Sequence, residues 1–278
     1  MEAAYSILLL FAVVFLVGET IQQQLRRDKR NLIIGGKQIS ISEAPYQAAL
    51  LVNGGFFCGG SIIGSKWILT AGHCISDKVD ETLSVRVGSN LRYAGGVEVK
   101  VLQAIRHPSY RKDTSSIVYS DIGLLLLEEP LQFDGSRVSC VSLPAQGEKL
   151  QAGATGKVAG WGKTRKFRDS PASLSVDTLL AVDTTVLPFE ECQRAYADYY
   201  MHEETQYCMG DLKDDKGACK GDSGGPFIVG KTVYGVVSWS KQCTEVGSPA
   251  IFTNVGAYVQ WIQYTVASVS SPEDLVCN

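Results

Sequence analysis

The strongest constraint on this chain is its punctuation. Beyond the first 32 residues its apolar runs are short, and clusters of Gly, Pro, Asn and Ser cut them apart. Val97, Val99 and Val101 alternate with Glu98 and Lys100, the period of two expected of a strand with one buried face. Residues 46–52, 61–70, 121–127, 157–160, 179–187 and 227–238 read as further strands. Helical spacing shows only twice. One helix is expected after Leu187-Pro188, where proline suits a first turn. The other spans about 255–269, where Val255, Tyr258, Val259, Ile262 and Val266 form one apolar stripe. With 278 residues, 45% of them apolar, and 28 glycines, the chain can bury a sizeable core. An all-β barrel arrangement ending in a helix accounts for the pattern most economically. A net charge of -3 gives no electrostatic reason to bind nucleic acid or an anionic membrane.

The N-terminus reads separately. Residues 3–18 carry no charge, and the apolar block 7–17 is shorter than the about 20 residues a membrane-spanning helix needs. This predicts a secretory signal over 1–18 and a soluble, secreted product. Glu2, and the lack of Lys or Arg ahead of the block, are atypical of such signals, so a membrane anchor is the alternative. Residues 19–32 contain the polar run IQQQLRRDKRN and precede Ile33-Ile34-Gly35-Gly36. They fit a solvated linker or a removable activation peptide. The cysteines number eight, an even count that fits disulfides made in an oxidising compartment. Spacing alone does not choose their partners.

The clearest chemical signal is Gly221-Asp222-Ser223-Gly224-Gly225-Pro226. A serine hydroxyl attacks well only when a base takes its proton and a tight turn presents it. Flanking glycines leave room for substrate and let main-chain N–H groups converge where an oxyanion forms. The bland alternative is a glycine-rich turn with an incidental serine. These residues also satisfy G-x-S-x-G, but that strand-to-helix elbow requires an acid and then a histidine after the serine. Here His73, His107 and His202 all precede Ser223, and residues 33–72 contain no aspartate, so the order Asp, His, Ser fails as well. The order His, Asp, Ser remains. His73 lies in Thr70-Ala71-Gly72-His73-Cys74 and Asp121 in Tyr119-Ser120-Asp121-Ile122-Gly123. Alone, the first reads as a structural histidine and the second as a turn residue.

Together with Cys58-Gly59-Gly60-Ser61, Gly160-Trp161-Gly162 and Ser238-Trp239, these segments resemble the chymotrypsin-like (trypsin-type) serine proteases from Ile33 to about Val269. The resemblance implies two six-stranded antiparallel β-barrels with a C-terminal helix, and a protease domain over 33–278. It implies Ser223 as nucleophile, His73 as general base and acid, and Asp121 as the group that orients the imidazole. Gly221 and Ser223 N–H would form the oxyanion hole. The new amine of Ile33, released by cleavage after Leu32, would pair with Asp222. Leu32 departs from the usual Arg or Lys, so activation by a protease cutting after leucine, or trimming after a cut at Arg30, is expected.

The resemblance further implies the pairs Cys58–Cys74, Cys192–Cys208 and Cys219–Cys243. Cys140 and Cys277 are left either bonded to each other or free, or one of them bonded to another chain. Gly217 matches the base of the primary pocket, and Ser238, Trp239, Ser240 and Ala250 its surroundings. Gly217 carries no carboxylate to neutralise Arg or Lys, so apolar, medium-sized residues are expected there. Ser89 and Gly96 stand where the family's calcium carboxylates are usual, so neither metal nor cofactor is expected. Expected partners are protein or peptide substrates, an activating protease and protein inhibitors, with the enzyme a monomer in a digestive role. The segment 111–120 is expected to border the neighbouring subsites. His107 belongs to a structural segment, and His202 reads as a surface residue. The alternative is an inactive homologue acting as a secreted binding protein, to which Gly72 and Leu32, both unusual for the family, are the only pointers.

Overall fold

The computed structural model describes residues 36–75, 82–115, 117–162, 177–210, 221–241, 248–275 and Cys277. The expected segments 1–18 and 19–32, and with them Leu32 and Ile33, lie outside the described residues. So do Gly217, Cys219 and Cys243.

Strands dominate. In chain order they are β1 (Lys37–Gln38), β2 (Gln47–Val52), β3 (Gly55–Ile62), β4 (Trp67–Thr70) and β5 (Leu83–Val87). There follow β6 (Val97–Arg106), β7 (Arg111–Lys112), β8 (Val118–Tyr119), β9 (Gly123–Leu127) and β10 (Thr155–Gly160). The rest are β11 (Leu180–Val186), β12 (Gln206–Gly210), β13 (Pro226–Val229), β14 (Thr232–Trp239) and β15 (Ala250–Asn254). Helix α1 (Phe189–Ala195) precedes β12, and α2 (Val259–Val269) follows a 3-10 turn at Val255–Tyr258.

Strands β2-β3-β4-β9-β6-β5 close into one antiparallel barrel. A second sheet runs β1-β11-β10-β13-β14-β15-β12, and the pairing Thr185↔Gly210 joins β11 to β12. Six of its strands therefore close as well, with β1 added alongside Ala181. This is the two-barrel, all-β architecture with a C-terminal helix that the sequence led us to expect. Closure leaves no long unpaired strand edge on either barrel.

Local sequence explains several joints. Asn53 (φ 50°) and Gly54 (φ 77°) link β2 to β3, and two left-handed residues in succession are what a tight hairpin matching strand twist requires. The expected single strand 61–70 is a hairpin instead: β3 ends at Ile62, and Ile63 N–H donates to Trp67 O at 3.0 Å. The expected strand 227–238 is likewise β13 and β14, folded back at Gly230. The period-two strand exists as β6, yet Val97 is 55% exposed, so the barrel interior takes only part of its apolar face.

Leu50, Trp67, Leu69, Leu124, Leu125 and Leu127, on strands of the first barrel, are all fully buried in one core cluster that takes in both faces of β9. Val158, Leu180, Tyr207, Phe227 and Phe252 fill the second, where the two phenyl rings meet edge-on at 6.3 Å. Burying each such side chain contributes about 1.5–3 kcal/mol. Helix α2 is fastened to the first barrel by Trp67 Nε1, which donates to Ser270 Oγ at 3.0 Å. Among the described residues no helix is long and apolar enough to cross a membrane.

The bridges Cys58–Cys74, Cys192–Cys208 and Cys140–Cys277 are all formed. The open question over the last pair is thereby answered: Cys140 bonds Cys277 near the C-terminus. Around the 89–96 loop, Ser89 Oγ donates to Ala94 O at 2.5 Å and Arg86 Nη1 to Gly95 O at 2.6 Å.

His107 is structural, as expected. Its ring meets the edges of Tyr258 (5.0 Å) and Trp261 (4.9 Å), and its Nδ1 accepts the Ser109 N–H at 3.1 Å. Burial holds its pKa below the usual histidine value. The folded state thus binds fewer protons than the unfolded chain below about pH 6.5. Stability contributed by this group is present above that pH and is lost as pH falls. We expect the thermal midpoint to drop on acidification from pH 7 to 5, and His107→Phe to flatten part of that drop. Melting curves recorded across this range check it.

Candidate active site

Asp121 is set in place by the hairpin before it. Strands β7 and β8 pair through Arg111↔Tyr119, and the Asp113 carboxylate accepts from Ser115 N and Ile117 N, each at 2.9 Å. The chain then turns sharply. Ser120 has φ 47°, and Ile122 N–H donates to Ser120 O at 2.9 Å, which puts Asp121 at the apex of a three-residue turn. From the second barrel, Thr253 Oγ1 donates to Asp121 O at 2.8 Å.

The Asp121 side chain is 2% exposed and accepts three donors: His73 N (2.7 Å), His73 Nδ1 (2.7 Å) and Ser238 Oγ (2.5 Å). Because a carboxylate accepts, Nδ1 carries the proton and Nε2 is left as the acceptor. The imidazole is 27% exposed, with its Nδ1 held against the buried carboxylate. Ser238, expected beside the substrate, gives its hydroxyl to Asp121. Thr253 was not singled out, since a lone threonine in a buried strand gives no sequence signal.

Ser223 approaches from the second barrel. Its carbonyl accepts Gly59 N–H at 2.8 Å, and Gly224 N–H donates to Val237 O at 2.8 Å, one residue before Ser238. Gly59 follows Cys58, whose disulfide reaches Cys74, the neighbour of His73. These links tie the backbone around Ser223 to β3 and β14, and β3 through the disulfide to the turn that carries His73. Gly221 has φ 99°, a backbone setting that suits glycine, and it stands on the N-terminal side of Ser223.

Asp222 points the other way and is 1% exposed. Its Oδ1 accepts Gly162 N–H at 2.9 Å. A Cβ on Gly162 would stand 2.4 Å from the carboxylate, so glycine is what admits it there.

Trp239 and Ser240 continue from β14, opposite Ala250 at the start of β15. Tyr196 joins the two sides: its ring lies 5.1 Å from Trp239, its hydroxyl donates to Pro249 O, and Lys241 N–H donates to it at 3.5 Å. Tyr196 was not anticipated from sequence, where it is one aromatic just past a short helix. His202 is half-buried, and its ring edge faces Tyr119 of β8 at 5.9 Å.

Comparison with known proteins places the chain in a family. The Trypsin family profile matches residues 33–262. Trypsin 5G1 of Aedes aegypti is 34% identical over 232 residues, spanning 83% of this chain and 84% of that protein. Cationic trypsin-3 of Rattus norvegicus is 37% identical over 248 residues, spanning 87% and 92%. Serine protease 1 of Canis lupus familiaris is 33% identical over 262 residues, spanning 93% and 98%. Among solved structures, neuropsin, a serine protease expressed in the limbic system of mouse brain, superposes with a TM-score of 0.74 at 28% identity. That superposition covers 83% of this chain and 98% of neuropsin. The chain belongs to the trypsin family of chymotrypsin-like serine endopeptidases.

Proposed function

We propose that this is a secreted endopeptidase made as a zymogen, which hydrolyses peptide bonds through Ser223, His73 and Asp121. The observation that carries the reading is the carboxylate–imidazole pair at 2.7 Å. In the proposed reaction Ser223 Oγ attacks the scissile carbonyl carbon while His73 Nε2 takes its proton. Gly221 and Ser223 N–H donate to the oxyanion. Collapse breaks the C–N bond, and His73 returns the proton to the leaving amine, giving an acyl-enzyme. Water then attacks that ester, losing its proton to Nε2; collapse breaks the bond to Ser223 Oγ, His73 returns the proton to that oxygen, and the acid leaves. Asp121 fixes the tautomer and stabilises the imidazolium that forms in each half.

On this reading residues 1–18 are a signal, 19–32 an activation peptide and 33–278 the protease domain. Cleavage after Leu32 frees the Ile33 amine to join Asp222, whose carboxylate is already held by Gly162. That pairing would order the turn that supplies the oxyanion donors. On the same reading it acts as a monomer in a digestive role on protein substrates, restrained by protein inhibitors.

The primary pocket is proposed to take apolar, medium-sized side chains. Two relatives bear the name trypsin. Yet Gly217 offers no carboxylate, and a cationic side chain desolvated there would lose its hydration without compensation. Ser240 and Ala250 narrow the walls slightly, which favours Leu and Met over the largest aromatics. A peptide-amide library varied at P1, assayed with processed protein, tests this. Cleavage after Leu and Met, by protein whose N-terminal sequence begins at Ile33, is the expected result. Dominant cleavage after Arg or Lys would sink the pocket reading, and an active form beginning at Asn31 the processing one.

A further inference from the structure

His73 sits on a weak element. Its 3-10 turn, Gly72–Cys74, is capped by Ala71 without any side-chain hydrogen bond. Two backbone bonds close it, Cys74 N to Ala71 O and Ile75 N to Gly72 O, each at 3.1 Å. A single turn has little stability of its own, so something outside it must fix where the imidazole stands.

Asp121 and the Cys58–Cys74 bridge hold it from two sides, and Arg106 adds a third anchor from β6. Its Nε donates to Gly72 O at 3.0 Å, and its Nη2 donates to Ile75 O. One rigid guanidinium thus grips both ends of the turn that carries His73, a geometry that a lysine ammonium, a single point donor, cannot copy. The main chain of Arg106 is in register with Gly123 of β9, two residues beyond Asp121. The same residue therefore ties the His73 turn to the strand that begins beside Asp121. Tyr110 covers the guanidinium, its ring centre 4.6 Å from Cζ.

Gly72 completes the set. A Cβ there would lie 2.8 Å from Tyr110 Cδ2 and 3.2 Å from both Ile122 N and Ile122 O. An alanine would push against the ring that holds the guanidinium and against the backbone next to Asp121. This packing accounts for the unusual glycine before His73.

We infer that Arg106 is a positioning residue for His73, acting through the carbonyls of Gly72 and Ile75 and stacked in place by Tyr110. The inference rests on the protease reading and deepens it. Its effect should fall on the chemical step, because the residue contacts the His73 turn from β6 and not the pocket walls. The test uses processed wild type, Arg106→Gln and Arg106→Lys, measuring kcat, KM and the thermal midpoint on one peptide amide. Arg106→Gln should lower kcat about tenfold to a hundredfold, with KM within about twofold. Arg106→Lys should recover part of that loss. A wild-type kcat in folded Arg106→Gln would overturn the inference. So would losses in both variants that merely track a reduced folded fraction, since the guanidinium would then serve stability alone. Wild type inactive on every peptide would instead defeat the protease reading itself, and this inference with it.

Discussion

Ser223→Ala should lower kcat by about five orders of magnitude while leaving the fold intact. In the proposed reaction the hydroxyl supplies the atom that attacks the peptide carbonyl, and a methyl group cannot take its place. What remains is the modest acceleration from the oxyanion donors and from binding. The methyl that replaces the hydroxymethyl group needs no new space, and the backbone bond from Gly59 N to Ser223 O persists. KM should therefore move little. Steady-state assays at high enzyme concentration, with circular dichroism to confirm folding, measure both. A residual kcat within tenfold of wild type would mean that another group performs the attack.

Asp121→Asn should cost about four orders of magnitude in kcat, for a different reason. The carboxylate serves three donors: His73 N, His73 Nδ1 and Ser238 Oγ. An amide has one oxygen and one NH2 group, so it cannot satisfy all three. If its oxygen takes the His73 N–H, its NH2 faces Nδ1, which must give up its proton to accept. The imidazole then carries its hydrogen on Nε2, where it can no longer receive one from Ser223. Size and shape are conserved, so thermal stability should fall far less than activity. The comparison of kcat with the melting midpoint separates this tautomer trap from simple misfolding. Parallel losses in the two would point to misfolding.

Legibility in the sequence followed the kind of contact involved. Strands β10 and β11 were visible because their apolar residues are dense and their ends are marked by turn residues. The hairpins inside 61–70 and 227–238 were merged, since Ile63 prolongs one apolar run across its turn and Val233 soon resumes the other. Strands β12 and β15 escaped notice because all their residues are buried. A strand covered on both sides shows no alternation. At the site, His73, Asp121 and Ser223 stood out by their order and neighbours. Thr253, Tyr196 and Arg106 did not, because they act through long-range bonds and ring contacts that leave no periodic trace. Ser238 was noticed, though not for its hydroxyl's bond to Asp121, which only the folded chain reveals.

The most direct trial is to treat protein cleaved ahead of Ile33 with an apolar peptidyl phosphonate and map the adduct by mass spectrometry. The account predicts one stoichiometric modification on Ser223, absent in Ser223→Ala and slowed by orders of magnitude in Asp121→Asn. A processed, folded protein that stays unlabelled, or carries the label elsewhere, would show that these three side chains make no working nucleophile.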